Sequence, residues 1–340
     1  MKVDAGSRDL AAAALQWRAE GRRAALATVV STWGSSPCPA GSQLLVDDRL
    51  RFIGSVSGGC VESAVMQAAQ TVMQNGAPQT LEFGIADDQA WAVGLACGGR
   101  IRVLVEAVAA AVDTLQTLAA AVQSRTPAVR VVDLAGGAQH CFYPAADGDS
   151  QLAPAVARAA RDAAVKDRST VVADGGAEWF LHVLNPPPTM VVAGAVHIAQ
   201  FLAPLALALH YRVTVVDPRA AFAAKERFAE GVAVEAAWPA EAAAFRTVDA
   251  RTAVVALTHD PKVDDPALQL ALASAAFYIG ALGSRKTHAA RCRRLAKAGA
   301  TEAQLARIHA PVGLAINAAT PGEIALAVMA QVTAELRRGR

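Results

Sequence analysis

Thr189-Met-Val-Val-Ala-Gly-Ala-Val-His197 opens a run that stays almost wholly apolar to Leu209. Its length suits a bilayer span, but His197, Gln200 and Pro204 interrupt it. A buried parallel strand, Met190–Ala193, followed by a buried helix, His197–His210, gives the same apolar signal. The surroundings favour the strand and helix. Just upstream, Asn185-Pro-Pro-Pro188 can continue neither a helix nor a central strand and reads as a stiff connector. We therefore expect one domain over residues 1–185 and another over 189–340. Downstream, strands at Arg212–Val216, Val232–Glu235, Ala253–Leu257 and Phe277–Ile279 alternate with helical patterns. That alternation predicts a Rossmann-like, doubly wound parallel sheet.

The first 185 residues predict an α/β domain of a different kind. A helix carrying Leu10, Ala13, Ala14 and Trp17 leads into a strand at Ala24–Ser31. Hairpins are expected at Ser42–Ile53, Val129–Tyr143 and Thr170–Leu184, with helices over Val61–Gln74, Ala110–Ser124 and Ala153–Lys166. Between Ile53 and the Val61 helix lies Gly54-Ser-Val-Ser-Gly-Gly-Cys-Val-Glu62. Its glycines permit positive φ and close approach to a ligand. The first amides of the next helix lack intrahelical partners and can hold an anion. Cys60 would stand at that helix start, where the dipole favours a thiolate. Ser57, Gly58, Gly59 and Cys60 are thus candidate binding residues, although a plain turn with a buried cysteine has the same composition. Leu95-Ala-Cys97-Gly98-Gly99 is a second turn of this kind.

With 340 residues, 54% hydrophobic and 18% charged, the chain is globular and long enough for about two domains. A net charge of +2 gives no argument for nucleic acid. Met1–Leu10 does not resemble a signal peptide. Five cysteines, with no C-x-x-C pair, point to a reducing compartment, hence the cytoplasm. Cys60 and Cys97 lack zinc-finger spacing, and the first histidine is His140, so no Cys–His nucleophile forms in the first hundred residues. What remains for two glycine-framed thiols is sulfur handling or a soft metal. Cys38, Cys141 and Cys292 read as structural.

Ligands of a doubly wound sheet sit beyond the carboxyl ends of its strands. Polar residues gather there: His197, Asp217, Arg219, Thr258, His259, Asp260, Ser284, Arg285, Lys286, Asn317 and Thr320. Asp217 follows Gly194 at about the spacing of a ribose-binding acid. The glycine fingerprint is broken, because its positions hold Gly194, Val196 and Ala199. A branched Val196 would obstruct a pyrophosphate, which argues against NAD(P). Gly283-Ser284-Arg285-Lys286 places a hydroxyl and two cations at a helix start, suited to phosphate or to a solvated cap. His197 reads equally as a ligand donor or as a polar helix start.

Taken together, Thr32–Pro37, Gly54–Glu62, Leu95–Gly99, Gly194–Ala199, Asp217–Arg219, Leu257–Pro261, Tyr278–His288, Pro311–Leu314 and Thr320–Leu326 resemble the XdhC/CoxI family of accessory proteins to molybdenum hydroxylases. The resemblance implies a non-catalytic chaperone. Such a protein binds the molybdenum cofactor, in molybdopterin or dinucleotide form, and protects it while a cysteine desulfurase supplies its sulfur. It then delivers it to an apo xanthine dehydrogenase-like hydroxylase. The resemblance also implies a homodimer, with no nucleic acid or membrane partner. It assigns Cys60, then Cys97, to the molybdenum end as metal contacts. Ser57, Gly58, Gly59 and Gly98 become donors, and Gly283, Ser284, Arg285 and Lys286 phosphate contacts; His197 and Asp217 complete the expected cofactor-binding set. The chain departs from the family at Val196, usually glycine, at Cys38, often arginine, and at Asn317, commonly aspartate. Two alternatives stand beside this reading: an NAD(P)-dependent oxidoreductase and a docking scaffold.

Overall fold

The computed structural model describes residues 10–34, 38–84, 99–146 and 151–338. The chain divides into two compact units, one up to Pro186 and one from Pro187.

The first unit contains two antiparallel sheets. Helix α1 (Leu10–Ala19) precedes β1 (Ala24–Trp33), β2 (Gln43–Asp47) and β3 (Phe52–Gly54); α2 (Glu62–Asn75), β4 (Gln79–Phe83) and β5 (Arg100–Ala107) follow. The five strands pair in the order β3-β2-β1-β5-β4. Alternation along β1 decides what each face buries. Ala24 and Leu26 pack with α1 and with α3 (Val112–Gln123), whereas Ala25, Ala27 and Val29 pack under α2 through Val65, Ala69 and Val72. The second sheet is formed by β6 (Ala128–Asp133), β7 (Gln139–Phe142), β8 (Thr170–Asp174) and β9 (Ala177–Leu184), in the order β7-β6-β9-β8. Helix α4 (Pro154–Val165) covers one face through Val156, Ala157 and Ala160.

The second unit is the expected doubly wound sheet. It holds β10 (Thr189–Ala193), α5 (His197–Ala208), β11 (Arg212–Val216), β12 (Ala233–Glu235), α6 (Ala243–Arg246), β13 (Thr252–Ala256), α7 (Pro261–Leu272), β14 (Tyr278–Ala281), α8 (Arg285–Lys297), α9 (Glu302–Leu305), β15 (Ile308–His309) and α10 (Pro321–Arg337). Six parallel strands pair in the order β12-β11-β10-β13-β14-β15. In order along this unit that is 3-2-1-4-5-6, the Rossmann arrangement, with its switch point between β10 and β13. Both faces are covered, which explains the near-continuous apolar strands. Met190 and Val192 face α5 and α10, while Val191 and Ala193 face α6, α7 and α8. The apolar run from Thr189 is therefore β10 and α5, and among the described residues no helix is long and apolar enough to cross a membrane. Sequence periodicity passed over the short helices α6 and α9, and also α7 and β15. Helix α7 opens with Pro261 and contains Pro266, which masks its pattern, and β15 is too short to show one.

Candidate functional site

The loop from Ser55 to Cys60 is built around a carboxylate of the chain itself. Glu62, the first residue of α2, is 8% exposed and turns back into the loop. Its Oε1 accepts from Ser55 Oγ at 2.6 Å and from the amides of Val56 (3.2 Å), Ser57 (2.9 Å) and Gly58 (3.2 Å). Its Oε2 accepts from the Gly59 amide at 2.9 Å and from Ser57 Oγ. The donors that sequence reasoning offered to a ligand from Ser57, Gly58 and Gly59 are thus directed at Glu62. Burial alone would raise its pKa, but the hydroxyl and amide donors outweigh it and bring it to about 2. Gly58 and Gly59 take φ of +84° and +121°, which turns successive amides inward.

Cys60 is half-buried and leans on the apolar cluster beneath α2. The structure also brings Cys38 to this loop, with its Sγ 3.7 Å from Ser55 Oγ. Sequence reasoning read Cys38 as structural for want of framing glycines; its proximity to Ser55 comes through the β2–β3 hairpin and not from spacing. A β-carbon added to Gly34 would stand 3.4 Å from Gly99 Cα, and Trp33 pairs with Arg100 across β1 and β5. The end of the second glycine-cysteine turn therefore meets the end of β1. Cys97 and Gly98 themselves lie outside the described residues. Among the described residues, no three histidine, cysteine, aspartate or glutamate side chains cluster as a metal site.

Elsewhere in this unit a buried polar knot ties the two sheets together. Arg130, 1% exposed, donates to Glu106 at 2.5 Å and to Gln139 at 2.8 Å. His182, opposite Arg130 across β6 and β9, is pushed down to about 3 by burial and by the Arg130 charge, so it stays neutral.

In the second unit, the turn after β10 is also held by the chain's own charges. Asp217 is fully buried. It accepts from the Ala195 amide at 2.9 Å and from Arg219 Nε (2.8 Å) and Nη2 (2.7 Å). Burial would raise its pKa, but the Arg219 side chain and the Arg219 and Ala195 amides lower it. Arg227 donates to the Ala195 carbonyl at 2.9 Å. The acid that spacing offered to a ribose is committed to Arg219 and the turn. A β-carbon on Gly194 would collide with Thr258 Cγ2, so the turn packs flush on the end of β13. His197 is exposed at the start of α5 and stacks edge-on with Phe201 at 5.1 Å. Gln200, with its amide turned to donate to His197 Nδ1 at 3.1 Å, accepts from Arg227 Nη2 at 2.9 Å.

The Thr258–Asp260 loop is tied to Asp264, which the sequence did not single out. Asp264 accepts from Thr258 Oγ1 (2.7 Å) and the His259 amide (3.1 Å), and faces Arg291 at 3.5 Å. Asp260 caps α7 by accepting from the Lys262 amide at 2.9 Å. The His259 backbone and the Asp260 side chain are therefore parts of a structural turn. Gly283, at φ +131°, precedes Ser284, whose Oγ accepts from the Thr287 amide at 3.2 Å as the cap of α8. Arg285 and Lys286 are exposed on its first turn. One turn further, Cys292 Sγ lies 3.4 Å from His288 Nε2, a thiol–imidazole pair that the i,i+4 spacing could have revealed. Burial, then Arg291, lowers the His288 pKa.

This geometry defines a two-unit α/β protein. It carries a glycine-framed thiol on an antiparallel unit and a Rossmann sheet whose dinucleotide turn is braced from within. The chain belongs to the XdhC and CoxI family: the profile of that family matches residues 17–84, and that of the XdhC Rossmann domain matches residues 190–332. It is 28% identical over 313 residues to the molybdenum cofactor insertion chaperone PaoD of Escherichia coli K12, covering 92% of this chain and 83% of that protein. It is 26% identical over 325 residues to a probable xanthine dehydrogenase subunit of Bacillus subtilis 168, covering 93% and 94%. In fold it matches a crystal structure described as a xanthine dehydrogenase from Bacillus halodurans. The TM-score is 0.77 at 24% identity, covering 98% of this chain and 97% of that one.

Proposed function

We propose that this chain carries the molybdenum cofactor as cargo, shields it during sulfuration by a cysteine desulfurase, and delivers it to an apo-hydroxylase of the xanthine dehydrogenase type. In this reading it acts in the cytoplasm, as a homodimer, and turns over no substrate. The observation that carries it is the similarity to the E. coli cofactor insertion chaperone, which runs through both units and not through one shared domain. The chemistry of the Cys60 loop supports it. A half-buried thiol beside polar backbone is a soft donor suited to the metal–sulfur end of the cofactor. The amides of residues 56–59 do not fit its phosphate, since Glu62 occupies them. Arg285 and Lys286, exposed at the start of α8, have the chemistry of a phosphate or nucleotide contact. Cys97 and Gly98 stay in the proposal on sequence grounds alone. The braced Ala195 turn favours this reading over an NAD(P)-dependent oxidoreductase, because Asp217 is already committed to Arg219.

The test is to produce the chain alongside a cofactor-synthesising system and measure bound molybdenum and pterin for the wild type and Cys60→Ala. Stoichiometric cofactor in the wild type, lost in Cys60→Ala, is the expected result. A wild type free of metal and pterin that also fails to activate an apo-hydroxylase overturns the proposal.

A further inference from the structure

We propose that Glu62 is the positioning residue for Cys60: its carboxylate, gripped inside the 55–59 loop, sets where the thiol stands and keeps foreign oxyanions off the loop amides. The two neighbours of Cys60 are tied to this one group. On the near side the Gly59 amide donates to Oε2 at 2.9 Å. On the far side the Val61 amide donates to Ser57 Oγ at 3.0 Å, and Ser57 Oγ in turn donates to Oε2. Cys60 thus sits on a backbone clamped at both ends by the same carboxylate.

That carboxylate has a rigid mount. It begins α2, whose Val65, Ala69 and Val72 are fixed in the core against β1 and β5. The loop itself contributes little of its own rigidity. Gly58 and Gly59 sit at left-handed φ with no side chains to pack, and a β-carbon on Gly59 would meet nothing within 4 Å. Four consecutive amides facing inward repel one another unless an anion sits among them. The chain supplies that anion from within, so the loop holds its shape before any guest arrives. Resting on the cargo reading above, this adds a preference of orientation: an incoming phosphate finds the cradle filled, and the soft end of the guest is the part that meets the loop.

The experiment is alkylation of Cys60 by iodoacetamide, followed by mass spectrometry of its peptide, on the cofactor-free full chain. Glu62→Ala should accelerate labelling at Cys60 about tenfold, because local opening then governs access. Labelling at Cys141, on β7 in the other sheet, should not change. Acetate, but not chloride at the same ionic strength, should restore protection in Glu62→Ala by refilling the cradle. Glu62→Gln, which keeps the shape but not the charge, serves if the alanine variant does not fold, and should also label faster. Unchanged labelling in either folded variant overturns the proposal. So does faster labelling in Glu62→Ala that acetate and chloride affect equally. Because the readout needs no cofactor, it stands or falls separately from the cargo proposal.

Discussion

Residues 55–59 in one unit and 258–260 in the other wrap around an acid in the first turn of the helix behind them, yet the pKa values of the two acids shift in opposite directions. Glu62 collects six donors and is held at a pKa of about 2. Asp264 is only 1% exposed and draws on Thr258, the His259 amide and Arg291 at 3.5 Å. There burial outweighs its partners, and the pKa is raised. Donor count against depth decides the sign. The acid with more donors is held as an anion, whereas the deeper acid with fewer is pushed toward its neutral form.

The largest effect expected from this contrast is in the second unit. Arg291→Met removes the guanidinium from a buried pair and should destabilise that unit by about 3–5 kcal/mol at pH 7. The Asp264 pKa is raised in the folded state, so acid favours the fold through this group: its contribution grows as pH falls through the folded pKa. The loss in Arg291→Met should therefore narrow as urea titrations are carried to progressively lower pH. An equal loss at every pH would break the contrast.

Glu62 should behave in the reverse sense. Its folded pKa of about 2 lies below the ordinary 4.5, so its contribution is complete above pH 4.5 and disappears as pH falls through 2. Glu62→Gln should cost about 2–3 kcal/mol near neutrality, the equivalent of that shift discounted for solvent screening. Wild type and variant should converge in stability near pH 2, which acid unfolding followed by circular dichroism would check.

Two glycines refine the comparison on backbone grounds. Gly194→Ala meets Thr258 at a position already at φ +108° and should cost about 2–3 kcal/mol. Gly59→Ala meets no atom within 4 Å, so only backbone strain remains, about 1–2 kcal/mol. Thermal unfolding of both variants would rank them, and a larger loss at Gly59 would mean that the loop is tighter than its contacts imply. The smallest effect should come from Ser55→Ala. It removes one donor of the six and the acceptor of the Gly58 amide, for about 1 kcal/mol in the same assay.

Much of the second unit was legible beforehand. Met190–Ala193, Arg212–Val216 and Ala253–Leu257 read as buried parallel strands because their apolar runs are local and continuous, and they pair as such. Helix α7 was not legible, since Pro261 and Pro266 disguise a helix that tertiary packing of Val263, Ala267 and Leu268 supports. The candidate site was legible as a place but not as an arrangement. Gly54–Cys60 stood out through its glycines, yet nothing in the spacing pointed to Glu62 as the occupant or to Cys38 as a neighbour. An acid in the first turn after a glycine loop was the available clue.

The chain's alternation of apolar and polar residues determined its layers and its strands, because burying apolar surface depends on periodicity that neighbouring residues carry. Where the polar groups point was decided only in three dimensions. A hydrogen-bond donor accepts whichever anion arrives at about 3 Å, whether guest or side chain, and that distance exists only once α2 has packed on its sheet and α5 and α7 on theirs.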